Sequence, residues 1–389
     1  MDKKNKGFVD LSVAMGMVLA FSFLTSWLAT EHGVLDALDT VGLSDRHPPA
    51  GNSSTSVNAA EDLAPTSVMT PRRSYSTTTV VFLGDILLAR DVERRQQRLG
   101  WSYPFAGLAS SSVTDSAYVL ANFESAIPSV HQPTPDLQTR FSTPTSTLPA
   151  LREAGITHVS LANNHSFDFG IEGYQHTLQT LHAQQVMPFG HPGTVGTTST
   201  IFLSVAGKPV SITAVNSVLV HLDETVLDRE LQRASAQSEL QVVYVHWGTE
   251  YQFAPDAAQR RLAASLASSG ADLIIGHHPH VVQNIEIIDD VPVIYSLGNY
   301  IFDQYFSIPV QQGLVVTLDM SDEPTLHLHP VSSVSARNQP RHLVGAARTQ
   351  FLADLAGRSD PRVATAIASG TLSLPLSLAS ATKTAMMAP

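Results

Sequence analysis

The chain contains no cysteine. That absence excludes disulfide bridges, thiolate zinc sites and cysteine nucleophiles, so any metal must be held by His, Asp, Glu and Asn. Clustered positive charge is missing too, with 23 Lys and Arg against 34 Asp and Glu and a formal net charge of -11. A nucleic-acid surface depends on such clusters, and a polyanionic ligand would need local cations or a metal here. The sequence also lacks any internal repeat. What remains is a globular composition, 43% hydrophobic and 15% charged, and its 389 residues suffice for one large domain or two ordinary ones.

The N-terminus has its own character. Lys3, Lys4 and Lys6 precede an uncharged stretch from Leu11 to Ala29, close to the roughly 20 apolar residues that cross a bilayer. This predicts a cytoplasmic tip and a single-pass membrane anchor over residues 1–30, with the rest of the chain extracytoplasmic by the positive-inside rule. A cleaved signal peptide is the competing reading. Its apolar region is about 7 to 15 residues long, and SWLATEHG is a poor cleavage site. Residues 31–76, rich in Ser, Thr, Pro, Ala and Asp, read as a flexible stalk. Residues 336–389 read as a C-terminal extension ending in a loosely held tail.

Between these ends, residues 77–335 alternate short apolar runs with helical stretches. TVVFLGD leads to Asp85, AYVLANFE to Glu124, THVSLANNH to Asn164 and His165, QVVYVHWG to His246, and ADLIIGHHPH to His278 and His280. Continuous Val, Ile and Leu runs are what strands buried on both faces look like. Amphipathic stretches at Asp91–Leu99, Gly170–Gln184 and Pro255–Ser268 separate them. Two hairpins follow the same logic, one turning at Gly207-Lys208 and one at Asp289-Asp290. The expected fold is α/β, a two-sheet sandwich flanked by helices. In such layers, ligands sit beyond the carboxyl ends of the strands, where these polar residues fall.

Taken singly, several candidates have ordinary readings. Asp85 could cap a turn, Glu124 could be a surface acid, and His246 could be a satisfied core histidine. The LANNHSFDFG segment is harder to dismiss, because Asn163, Asn164, His165 and Asp168 crowd after an apolar strand. His278 and His280 lie two apart, and the following Pro279 is expected to hold His278 extended, so that both rings reach one side. Jointly, this nitrogen and oxygen donor set suits Mn, Fe or Zn, as two divalent ions in a dinuclear centre.

Six segments, GDILLAR, NFES, LANNHSFDFG, HWGTEY, GHHPHVVQ and YSLGNYIFD, occur in this order. They resemble the motifs of the CapA family of capsule-synthesis and poly-γ-glutamate biosynthesis proteins, which are similar to calcineurin-like metallophosphoesterases. The resemblance implies that Asp85 and His280 hold a first metal, that Asn164, His246 and His278 hold a second, and that Glu124 bridges them. His165 would donate a proton to a leaving group, and Asp168 would orient it. Arg90, Asn122, Asn163, Trp247, Glu250, Tyr251 and Asn299 would contact substrate or support the ligands, and His277 would stand behind them. Two departures from the phosphoesterase pattern accompany this: Leu87 stands where a histidine ligand is usual, and Asn122-Phe123-Glu124 replaces the usual Gly-Asp. The implied partners are the membrane, an anionic polymer such as poly-γ-glutamate, and a polymer synthase or export complex. Metal-dependent hydrolysis and non-catalytic polymer binding both remain open.

Overall fold

The computed structural model describes residues 77–109 and 117–374. The expected anchor and stalk, and residues 375–389 of the expected tail, lie outside the described residues, among which no helix is long and apolar enough to cross a membrane. In chain order the strands are β1 (Thr79–Ile86), β2 (Ala117–Phe123), β3 (His158–Ser160), β4 (Met187–Phe189), β5 (Thr200–Val205), β6 (Lys208–Asn216), β7 (Leu240–His246) and β8 (Leu273–His277). The later ones are β9 (Ile285–Ile288), β10 (Val291–Ile294), β11 (Asn299–Ile301), β12 (Gln312–Asp319), β13 (Thr325–Ser332), β14 (Arg341–His342) and β15 (Thr371–Ser373). One sheet runs β14-β13-β12-β1-β2-β3-β4, with β11 beside β1 and β15 beside β13; the other runs β5-β6-β7-β8-β10-β9.

The apolar runs behave as doubly buried strands should. In β1, Val80 and Phe82 enter the core between the sheets, while Val81 and Leu83 enter a second core outside the first sheet. Val92, Leu151 and Leu181, from helices Arg90–Leu99, Leu148–Glu153 and Gly170–Ala183, close that outer core. In β7, Val242 and Tyr244 point between the sheets, whereas Val243 and Val245 meet Leu227, Leu231, Ala263 and Leu266 of helices Glu224–Ser235 and Ala257–Ser268. Each fully buried Val or Leu contributes about 1.5–3 kcal/mol. This burial on both sides fixes the strand positions from which the polar residues project.

Both expected hairpins form. The first turns one residue earlier than the sequence reading, at Ala206 and Gly207, and the second at Asp289 and Asp290; all four have positive φ. Two positive-φ residues match the twist of the flanking strands. The C-terminal extension differs more. Beyond residue 335 the chain forms β14, helices Gly345–Arg358 and Ala364–Ser369, and β15. Leu352, Leu355, Ile367, Leu372 and Leu374 are buried in the inter-sheet core. These spaced leucines supply an apolar face that a Ser- and Ala-rich composition conceals.

Candidate metal centre

The parallel registers bring the polar residues together. Asp85 of β1 lies level with Asn122 of β2, and His246 of β7 lies level with His277 of β8. At this level β1 exchanges its partner β12 for β11, an approach that needs Gly84: a Cβ there would lie 2.1 Å from the Gly298 carbonyl oxygen. Asn299, the first residue of β11, then sits beside Asp85.

The histidine-rich turn is not extended as the sequence predicts. Strand β8 ends at His277, and His278 and His280 take φ values of 95° and 57°. The turn is held by the Asp85 carboxylate, whose Oδ2 accepts the His278 backbone N–H at 3.2 Å. Held left-handed backbone of this kind stores of order 1–3 kcal/mol per residue and concentrates at functional sites. The two rings still arrive together, 5.9 Å apart between centroids, with His246 4.8 Å from His278.

A chain of amides orients the acids. The His165 backbone N–H donates to Asn163 Oδ1, which leaves Asn163 Nδ2 to donate to the Phe123 carbonyl and to Asn122 Oδ1. Asn122 must therefore turn Nδ2 inward. There it donates to Asp85 Oδ1 at 2.8 Å, and lies 3.3 Å from both Glu124 Oε2 and His246 Nδ1. Two backbone groups thus dictate which end of a buried amide faces the carboxylates.

Two groups of side chains have ligand atoms within 4.8 Å of one another: Glu124 with His278 and His280, and Asp85 with Glu124 and His246. Glu124 belongs to both. His280 also keeps Nδ1 at 3.5 Å from Asp85 Oδ2, and Asn164 Oδ1 lies 2.8 Å from His246 Nε2. His278 Nδ1 and His277 Nε2 are buried with no hydrogen-bond partner. Burial should raise the Asp85 carboxyl, yet hydrogen bonds and charge from His277 and His280 hold it well below the usual range. Glu124 is raised well above it, by burial and by the charges of Asp85, Glu250 and Asp168, against the pull of His280. Burial opposes charge on His280, but Glu124 and Asp85 push it up to about 9. Burial, with His280 nearby, lowers His278 to about 4, and burial with His278 lowers His246. Two buried carboxyl groups beside the neutral rings of His246 and His278, with Nδ1 of His278 unused, form a donor set that fits a divalent ion.

The remaining candidates divide by contact. His165 places Nδ1 3.0 Å from Asp168 Oδ2, and Nε2 3.9 Å from Glu124 Oε1, with its ring against Phe141. Asn299 Oδ1 meets His280 Nδ1 at 2.9 Å, leaving Nε2 toward Glu124, and His277 Nδ1 meets Asp85 Oδ1 at 3.0 Å. Glu250 is exposed, and Tyr251 has its ring 6.1 Å from that of His280. Trp247 is turned away into the core, where Nε1 donates to the Tyr295 carbonyl. Arg90 pairs with Asp303 and lies over the Phe141 ring. Sequence reading did not single out Asp303, although it closes the YSLGNYIFD segment; it stands 213 positions from its partner.

The family model described as "Bacterial capsule synthesis protein PGA_cap" matches residues 79–304. Capsule biosynthesis protein CapA of Bacillus anthracis is 29% identical over 284 residues, covering 68% of this chain and 68% of that protein. PGA biosynthesis protein CapA of Bacillus subtilis (strain 168) is 29% identical over 250 residues, covering 60% and 66% respectively. Among solved structures, a phosphatase from Mycoplasma pneumoniae aligns with a TM-score of 0.41 at 14% identity, over 65% of this chain and 93% of that one.

Proposed function

Because the chain belongs to the bacterial capsule synthesis protein family, we propose that it serves in the assembly of an anionic capsule polymer of the poly-γ-glutamate class, through a divalent-metal centre. The observation that carries this reading is Glu124, buried and shared by two groups of ligand atoms. Asp85, His246, His278 and His280 complete those groups, and Asn164 adds an amide oxygen beside His246. The fold and the motif order support a calcineurin-like ancestry. Divalent ions here would supply Lewis acidity and lower the pKa of a water to near 7.

The protein's own residues would do the rest. Asp168 faces Nδ1 of His165 and leaves Nε2 toward the site, the placement required to hand a proton to a leaving atom. Arg90, with Asp303 fixing its guanidinium, offers positive charge for an anionic chain. The uncharged stretch Leu11–Ala29 would anchor the domain on the outer side of the membrane.

One observation favours a second reading, a polymer-binding subunit without turnover. Leu87, where phosphoesterases carry a histidine, is fully buried with Ala89, Phe141 and Phe302 and offers no ligand. Complementing a strain that lacks its own copy decides between them. On the first reading, His165→Ala keeps its metal yet loses polymer production. Wild-type production by that variant would leave only the binding role.

A further inference from the structure

Three more imidazoles gather away from this centre, on the outer face of the first sheet. His327 and His329 are two residues apart on β13, so they project to one face. The antiparallel register sets His342 of β14 opposite Val331, which puts its side chain on that face as well. Ring centroids lie 6.4 Å apart for His327 and His329, and 5.9 Å apart for His329 and His342. Leu326 and Leu328, which alternate with them, point into the inter-sheet core. The histidines are half-buried and fill no core position.

Their ring nitrogens are unused. Among the described residues none of the three donates or accepts a hydrogen bond through its ring. Histidines with a structural task here do otherwise: His131 meets Ser142 and Glu93, His158 meets Thr157, and His176 meets the Ile127 carbonyl. Burial, followed by the charges of His342, His327 and Arg348, lowers His329 to about 4, and burial also lowers His342. Those two rings are therefore neutral at neutral pH, as metal ligands must be.

We propose that His327, His329 and His342 form a separate site for a first-row transition ion such as Zn2+, Ni2+ or Cu2+, held by imidazole nitrogen. Every charge acting on His329, from His342, His327 and Arg348, is positive, so this site depends on nitrogen donation rather than on opposite charge. That selects against Mg2+ and Ca2+, which require oxygen ligands. Their ligand atoms do not all lie within 4.8 Å of one another, so the ion would draw the rings together by side-chain rotation, the registers of β12 with β13 and of β13 with β14 fixing the backbone. Bound there, it would tie the two-residue strand β14 to β13.

The test uses the purified full chain, stripped with EDTA, equilibrated with Zn2+ and dialysed, with zinc per chain measured by mass spectrometry. His327→Ala with His329→Ala should lose one equivalent of zinc and keep whatever the central site binds. His278→Ala with His280→Ala should retain that equivalent, and should bind Cu2+ with the nitrogen splittings of imidazole ligands in its electron paramagnetic resonance spectrum. If the first variant fails to fold, His329→Gln takes its place. Equal zinc content in the parent and in the His327/His329 variant overturns the proposal. So does a His278/His280 variant that folds and binds neither ion.

Discussion

Replacing Asn122 by aspartate isolates the electrostatics of the central site. The side chain keeps its shape, but the inward amide nitrogen, 2.8 Å from Asp85 Oδ1 and 3.3 Å from Glu124 Oε2, becomes a carboxylate oxygen. Two hydrogen bonds are lost, and the one to the ionised Asp85 is of about 1.5–3 kcal/mol. The new charge also repels its neighbours, by roughly 4 kcal/mol per pair at ~4 Å and an effective dielectric constant of about 20. Protonation of one carboxyl limits the loss, so about 4 kcal/mol is expected for the metal-free protein, on the scale of breaking a buried ion pair. At about 2–4 °C per kcal/mol for domains of 150–250 residues, that is ~10 °C in melting temperature. A divalent ion among the same oxygens removes most of the repulsion. Melting curves in EDTA and in Mn2+ should therefore differ more in Asn122→Asp than in wild type, by the repulsive part of that ~10 °C, whereas Asn122→Leu should lose stability equally in both. Equal losses for Asn122→Asp in the two conditions would refute the placement of an ion beside Asp85 and Glu124.

Two further outcomes concern the fold. Burial lowers His158 from 6.5 to about 4, so between those values the unfolded chain binds the extra proton; stability present above pH 6.5 is lost as the pH falls toward 4. Going from pH 7 to pH 5 should cost about 2 kcal/mol through this residue, and His158→Gln should flatten the urea-denaturation profile by that amount; an unchanged slope contradicts the assignment. A Cβ on Gly276 would meet the Tyr295 carbonyl oxygen at 2.1 Å and Trp247 Nε1 at 2.4 Å. Gly276→Ala should accordingly lose about 3 kcal/mol or more by the same assay, and wild-type stability would contradict the packing of Trp247 against β8.

Much of this architecture was legible because burial on both faces leaves a simple trace. The run before Asp85 and the run before His246 are continuous apolar strands, and the polar residue ending each one lands in the centre. The turn at His278 was not legible: Pro279 argued for extended backbone, and only the remote Asp85 carboxylate explains the left-handed conformation. The pairing of Arg90 with Asp303 was hidden for the same reason, since distant partners leave no local pattern. Trp247 could not be separated from its neighbours in HWGTEY, because which way a residue at a strand end turns depends on the opposing layer. The C-terminal leucines were masked by the Ser- and Ala-rich sequence around them.

The central claim is that Asp85, Glu124, His278 and His280 hold a divalent ion. Equilibrium dialysis of the full chain against Mn2+, Zn2+ or Fe2+, with metal content measured by mass spectrometry for wild type and for His278→Ala with His280→Ala, tests it most directly. The wild type should hold metal beyond any bound by His327, His329 and His342, and the variant should lose it while remaining folded. The same metal content in both proteins would contradict it.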